Sequence, residues 1–219
     1  MKTFLHVGCG HKTKLQTTAA FETDDWAELR LDIDPDVTPD IIGTITDMAA
    51  VPDASVDAVF SSHNIEHLYP HEVPLALAEF RRVLRPDGFV LITCPDLQAV
   101  AALIAADGLA EPAYMSGYGP ITPLDIIFGH RPHLAAGNHF MAHRCGFTEK
   151  VLSASLLAAG FCASYTARRQ DRFDLWALAT NTTHDPTTTQ AAVRAHFPDG
   201  ITQVTVATTL TANPIYAAG

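Results

Sequence analysis

The spacing of apolar residues changes repeatedly between the period of a strand and that of a helix. Helical spacing is clearest from Val73 to Leu84, where apolar positions recur every three or four residues until a turn at residues 85–88. We predict a second helix after Asp96 and a third between the N-cap Thr148 and Gly160. Short apolar runs predict strands at residues 4–7, 28–34, 40–43, 56–62, 89–94, 161–166 and 173–179.

This alternation predicts an α/β fold, in which a mostly parallel sheet carries helices on both faces. The polar residues 168–172 separate the last two strands, so we expect these two to be antiparallel. In such open sheets, ligands bind at the carboxyl ends of the strands. That rule points to residues 8–12, 32–34, 47–48 and 61–67.

Two segments depart from the alternation. Residues 107–147 have no sustained period, which favours a substrate lid inserted into a domain that spans residues 1–181. The threonine-rich residues 182–219 form a C-terminal extension.

Within the extension, we predict a short helix at residues 191–196 and a strand through Val204, Val206 and Leu210. Such a strand could pair with a neighbour's sheet edge, so we expect a dimerisation element and a homodimer.

Composition narrows the classes of function. The chain has 219 residues, 47% hydrophobic and 17% charged, with a formal net charge of −10, which is typical of a globular domain. Nucleic acids and anionic membranes require clustered Lys and Arg, so we expect neither as a partner. The apolar N-terminal run is too short for a signal peptide and no run is long enough for a membrane span. Four separated cysteines indicate reduced thiols and a cytoplasmic protein.

The strand ends carry residue types that suit a nucleoside. Gly8-Cys9-Gly10 follows the first strand and permits a tight turn with close approach of a ligand to the backbone. Thr13 stands where a third glycine would complete a dinucleotide fingerprint, which argues against a pyrophosphate. Asp32 ends the second strand, where a carboxylate can accept hydrogen bonds from ribose hydroxyls, and Asp34 is a second candidate. An ordinary turn and a solvated strand end are the alternatives.

Taken in order, these motifs resemble the class I S-adenosylmethionine-dependent methyltransferases, in particular their small-molecule branch. The resemblance covers residues 4–95 and 147–179 and includes the ordered motifs at residues 52–68 and 80–88. It implies a doubly wound, Rossmann-like, seven-stranded sheet with an antiparallel last strand, in a three-layer sandwich. It also implies S-adenosylmethionine as the cofactor and S-adenosylhomocysteine as its product.

The resemblance implies a role for each residue that matches a family motif. Gly8, Cys9 and Gly10 would lie along the methionine part of the cofactor. Asp32 would hold the ribose hydroxyls, and Ile33 would pack on the adenine. Asp47 and Met48 would line the adenine edge, and Ser62 and His63 would face the sulfonium and the acceptor.

Three departures from the family pattern are visible. His6 stands where the first motif usually has an acid, and the usual N-terminal helix is missing. Only about eight residues join the second and third strands, too few for a crossover helix. We therefore expect the adenine side to be open or covered by the extension or a second subunit.

Methyl transfer needs a base only if the nucleophile must lose a proton, and histidine is suited to that task near neutral pH. The predicted catalytic candidates are His63, His67 and His139, with packing at a helix start as the alternative for His67. Arg131 could clamp an acceptor carboxylate or pair with Asp125. The predicted acceptor-binding residues are Asn64, Tyr114, Arg131, His143 and Arg144.

The spacing His63-x-x-Glu66-His67 resembles a Glu-x-x-Glu-His pattern that holds a divalent ion in some ubiquinone-pathway and small-RNA methyltransferases. Histidine in the first position would favour a transition metal, and His139 or His143 would have to complete the site. The spacing of the lid histidines does not match a standard zinc module, so we predict no metal site.

The leading hypothesis is an enzyme that transfers a methyl group from S-adenosylmethionine to N or O of a small-molecule acceptor. One alternative is a non-catalytic subunit that binds the same cofactor and supports a partner. Another is an NAD-dependent oxidoreductase on a related fold.

Overall fold

The computed structural model describes residues 1–183, 185–209 and 215–216, which form an eight-stranded sheet and a separate two-stranded hairpin. The strands of the sheet are β1 (Lys2–Val7), β2 (Trp26–Asp32), β3 (Ile41–Ile42), β4 (Val56–Ser62), β5 (Leu84–Pro95), β8 (Ala163–Arg169), β9 (Asp174–Thr180) and β10 (Thr205–Ala207). The hairpin consists of β6 (Tyr114–Ser116) and β7 (Gly119–Ile121).

The order of strands in the sheet is β10-β8-β9-β5-β4-β1-β2-β3. Strands β3, β2, β1, β4 and β5 are mutually parallel, while β9 is antiparallel to both β5 and β8. This confirms the predicted α/β class with a mostly parallel sheet.

The sheet has eight strands, not the predicted seven, because β10 of the extension pairs antiparallel with β8. Val206 lies opposite Tyr165 in this pairing. Val204 precedes the strand, and Leu210, the third residue of the predicted strand, lies outside the described residues.

Three helices lie where the apolar spacing predicts them, and a fourth, predicted at residues 191–196, begins five residues earlier, at Pro186. In α1, every core-facing position is buried, and Thr148 caps α5 by accepting a hydrogen bond from the backbone N–H of Val151. These helices are α1 (Val73–Val83), α2 (Leu97–Ala105), α5 (Glu149–Ala158) and α6 (Pro186–His196). The lid segment adds the short helices α3 (Pro123–Phe128) and α4 (Arg131–Ala135) beside its hairpin. No described helix combines the length and apolar character that a membrane crossing would need.

Strand β5 begins earlier than predicted and includes the expected turn at residues 85–88. Leu84 pairs with Val56, and the register then shifts so that Phe89 pairs with Ala58. Four residues of β5 therefore stand opposite the single residue Asp57, three more than regular pairing has, and a Cβ at Gly88 would lie 2.9 Å from the Asp57 carbonyl oxygen. The irregular pairing absorbs the turn within the strand.

One face of the sheet lacks its usual crossover helix, and the extension covers it. Residues 8–25 contain only a short 3-10 turn, Lys14–Gln16, between β1 and β2. Phe21 and the α6 end, with Val193 and Phe197, pack on the aromatic side of β1 and β4. His196 of α6 lies 2.8 Å from the Thr18 hydroxyl. The extension therefore belongs to the same packed layer as the loop after β1.

We predict that Phe197→Ala lowers the free energy of unfolding by about 3 kcal/mol, because it leaves a cavity between α6 and Trp176. Urea denaturation measures this change. Gln190→Ala, at an exposed position of the same helix, is the control and should change stability little. Equal stability of the two variants would contradict the packing role of α6.

Candidate active site

The carboxyl ends of β1, β2, β4 and β5 meet at one edge of the sheet, and antiparallel β9 begins there. The glycine turn, Asp32 and His63 all lie at this edge, directly after their strands. The topology therefore brings together the motifs that the sequence separates by up to about sixty residues.

The turn after β1 depends on glycine at its first position. Gly8 has φ +60°, and a Cβ there would lie 2.4 Å from Cγ of Asn64, so the loop after β4 packs directly on this backbone. Gly10 has φ +53°, and nothing lies within 4 Å of where its Cβ would be. Cys9 contributes only backbone to the open side, because its side chain is buried and burial raises the pKa of its thiol to about 11.

Asp32 connects the glycine turn to the next strand end. Its Oδ2 accepts the backbone N–H of Gly10 at 2.8 Å, and its Oδ1 accepts that of Asp34 at 2.9 Å. Each carboxylate oxygen has a second lone pair, so both can still accept a ligand hydroxyl. The neighbouring Ile33 is 48% exposed and offers apolar surface beside the carboxylate.

The predicted adenine-edge residues have different environments. Asp47 is exposed, and its Oδ1 accepts the backbone N–H of Ala49 at 3.2 Å. Met48 is 1% exposed, and its side chain belongs to the hydrophobic core. Its backbone N–H donates to Oε2 of Glu79 at 2.7 Å, which fixes the chain after β3 against α1.

At the end of β4, His63 lies between two acidic side chains. Its Nδ1 is 3.3 Å from Oε1 of Glu66, and its Nε2 is 3.6 Å from Oδ2 of Asp174 at the start of β9. Its backbone has φ +49° and its N–H donates to the carbonyl of Thr93 at 2.9 Å. Ser62 accepts a hydrogen bond from the Thr93 hydroxyl at 3.0 Å.

The two neighbouring acidic side chains, Glu66 and Asp174, set the protonation state of His63. Desolvation by itself lowers the pKa of His63, but Asp174 and Glu66 outweigh it and raise that pKa to about 9. Burial by itself raises the pKa of Glu66, but His63, with smaller contributions from His67 and His143, lowers it to about 2. At neutral pH the edge therefore holds an imidazolium between two carboxylates.

The described residues that could hold a metal ion are Glu66, His67 and His143, whose ligand atoms lie within 4.8 Å of one another. His143 Nδ1 donates to the carbonyl of Ile126 at 2.8 Å, and burial lowers its pKa, which leaves Nε2 with a free lone pair. His67 lies between the carbonyls of Ala142 and His63, at 3.1 and 3.2 Å. His143 thus takes the place in this group that the sequence pattern assigned to His63.

The lid brings some of its predicted residues to the site and leaves others away from it. Tyr114 faces the cavity described below, and His143 packs against His67. Arg131 pairs with Asp125 through Nε and Oδ1 at 2.7 Å, which was the alternative expectation.

Two further lid residues that were predicted at the site do not line the cavity. Arg144 donates to the carbonyl of His67 at 3.1 Å and lies over the ring of Tyr69. His139 is exposed, at the first position of a 3-10 turn, and does not line the cavity.

A cavity of about 290 Å³ opens above Ser62 and His63. Six of its lining residues were not predicted: Lys12, Thr93, Arg169, Arg172, Asp174 and Trp176. The sequence signal for the two arginines was the charged run at residues 168–172, which was predicted only to be a polar connection between strands. The roles of all predicted site residues stay predictions.

Residues 5–92 match the family model described as a methyltransferase domain. Two solved structures share the fold at low identity. One is the Burkholderia thailandensis 1,6-didemethyltoxoflavin-N1-methyltransferase with its bound acceptor and S-adenosylhomocysteine, at 17% identity and TM-score 0.53, covering 83% of this chain and 72% of that one. The other is a SAM-dependent methyltransferase from Archaeoglobus fulgidus, at 14% identity and TM-score 0.51, covering 81% and 85%.

A third similar structure is from the complex between the Haloferax volcanii Trm112 methyltransferase activator and a methyltransferase, at 13% identity and TM-score 0.56, covering 84% and 83%. No curated protein matches this chain. Together with the family match over residues 5–92, these structures show that the chain has the class I S-adenosylmethionine-dependent methyltransferase fold, as predicted. The predicted cofactor, S-adenosylmethionine, is the cofactor of that class.

We predict that His63→Asn lowers the free energy of unfolding by about 2 kcal/mol near neutral pH, because it removes the cation beside the buried Glu66, while Asp174 keeps its pair with Arg169. The effect is smaller than for a fully buried pair because the His63 side chain is 43% exposed. Asn tolerates the positive φ of this position.

Since folding raises the pKa of His63 from 6.5 to about 9, its stabilising contribution is complete below pH 6.5 and is lost as pH rises through about 9. Urea denaturation of both proteins at several pH values should show the difference shrinking on the alkaline side. His71→Asn, at an exposed position, is the control. A difference that does not vary with pH would refute the ionic role of His63.

Proposed function

We propose that this chain binds S-adenosylmethionine at the carboxyl edge of the sheet and transfers its methyl group to N or O of a small-molecule acceptor. The observation that carries the proposal is the pairing of Asp32 with the open turn at Gly10, beside a cavity that begins at Ser62 and His63. The cytoplasmic location, the homodimer and the lack of nucleic-acid and membrane partners belong to the same proposal.

The residues at the edge fit this cofactor. The space next to Gly10 can receive the methionine part, and the remaining lone pairs of Asp32 suit the ribose hydroxyls. Ile33 offers an apolar surface for the adenine. The first motif lacks its acid at His6, but Glu28 places a carboxylate beside that residue: its Oε1 is 2.7 Å from His6 Nδ1, and its Oε2 accepts the N–H of Lys14.

The bound cofactor would supply a methyl group on a sulfonium, which is activated for in-line displacement. The protein's own contribution is to position the two reactants. Asn64 packs on Gly8, so the loop after β4 is held directly against the turn at which the cofactor is proposed to bind. His63 is an imidazolium at neutral pH and therefore acts on a bound acceptor through its charge. It accepts a proton from an acceptor only after losing its own.

We predict that wild-type protein binds S-adenosylhomocysteine in isothermal titration calorimetry and that Asp32→Asn weakens binding about thirtyfold, through loss of a charge-assisted hydrogen bond worth about 2 kcal/mol. Asp36→Asn, at an exposed position four residues away, is the matched control and should bind like wild type. No binding by wild type would overturn the proposed cofactor, and equal binding by Asp32→Asn would overturn the ribose anchor.

Turnover separates the enzyme from the non-catalytic alternative. Incubation of S-adenosylmethionine labelled in its methyl group with a panel of small amines, phenols and carboxylic acids should give a labelled product and S-adenosylhomocysteine. Binding without any transfer would favour the supporting subunit. Titration with NAD tests the oxidoreductase, and we expect no binding because the third glycine is missing at Thr13.

A further inference from the structure

The cavity at the carboxyl edge has a charge opposite to that of the whole chain. The sequence contains 24 acidic residues and only 14 Lys and Arg. The cavity wall nevertheless contains Lys12, Arg169 and Arg172, with Asp174 as its carboxylate. An electropositive cavity on an acidic protein indicates a ligand that brings negative charge.

One of these cations is already compensated within the protein. Arg169 donates through Nε and Nη2 to the two carboxylate oxygens of Asp174, with 3.0 Å between Nε and Oδ1. His63 also lines the cavity and lies between Glu66 and Asp174. Neither Arg169 nor His63 therefore needs an anionic ligand as its partner.

Arg172 is in a different situation. It lies in the turn between β8 and β9, its Nη1 donates to the carbonyl of Met115 at 2.8 Å, and its Cζ lies 5.5 Å from the ring centre of Tyr114. Among the described residues, its carboxylate partner is Asp171, 3.8 Å away and 75% exposed. Such an exposed pair contributes little. The structure therefore holds the guanidinium on the cavity wall without a buried counter-charge.

The two remaining cations come from different segments of the chain. Lys12 follows the glycine turn by two residues, next to the backbone along which the methionine part of the cofactor is proposed to lie. Arg172 lies against the lid hairpin of β6 and β7. Tyr114 and Trp176 add aromatic surface to the same cavity.

We infer that the methyl acceptor is a small molecule bearing an oxyanion, carboxylate or phosphate, whose charged group binds Arg172 and whose flat part packs against Tyr114 and Trp176. This inference rests on the proposed function and specifies its acceptor. A guanidinium can meet either oxyanion with two parallel hydrogen bonds, which gives direction as well as charge.

The test uses calorimetric titration of the full chain saturated with S-adenosylhomocysteine. Benzoate and phenyl phosphate are the two anionic probes, and benzamide is the neutral counterpart of benzoate. We expect at least one anion to bind at least tenfold more tightly than benzamide, and the preferred anion identifies the oxyanion. Arg172→Gln should weaken that anion about tenfold, and Arg172→Lys should weaken it less.

Arg194→Gln, at an exposed position on α6, is the matched control and should bind the anion like wild type. Arg172→Gln should retain wild-type affinity for S-adenosylhomocysteine, which shows that the variant is folded and that the cofactor side is intact. If wild type does not bind S-adenosylhomocysteine, the proposed function fails. If it does, but both anions bind no better than benzamide or bind Arg172→Gln equally well, the inference on the acceptor fails.

Discussion

A buried carboxylate needs a compensating cation, and the carboxyl edge of this sheet is organised around that requirement. Glu66 and Asp174 each have side chains only 1% exposed, and His63 lies between them. The ring links the end of β4 to the start of β9, and the backbone of His63 adopts a positive φ to place it there. The carbonyl of Glu66 accepts the N–H groups of Arg144 and Cys145, so the return of the lid to the core is fixed at the same residue.

This arrangement affects the proposed chemistry through charge. A sulfonium cofactor would enter an edge that already holds the guanidinium of Arg172, which has no buried counter-charge. Like charges brought together out of water repel one another strongly. An acceptor whose oxyanion binds Arg172 would relieve that repulsion. The charge of the cofactor and the charge of the acceptor would therefore affect each other's binding at this cavity.

Regular elements could be predicted because their signal is local. The spacing in α1 and the placement of Asp32 at the end of a strand are both readable in short windows of sequence. The start of α6 was missed because its threonine-rich first turns have no apolar period and depend on the cap at Asp185. The ion pair of His63 with Asp174 was beyond prediction, since it joins the end of β4 to the start of β9, two strands that lie on either side of β5 only after folding. Arg172 could not be distinguished from Arg168 and Arg169, because strand direction and turn geometry decide which guanidinium lines the cavity without a buried carboxylate partner.

The proposal that the cofactor binds at the carboxyl edge beside His63 is best tested by a crystal structure of the chain with S-adenosylhomocysteine, because it locates the ligand relative to the charged side chains. We expect the ribose hydroxyls within hydrogen-bonding distance of both oxygens of Asp32. The homocysteine part should lie along Gly8 and Gly10, with its sulfur directed toward the cavity beside His63. His63 should remain between Glu66 and Asp174. A ligand bound elsewhere, or a His63 ring displaced from both carboxylates, would contradict the account.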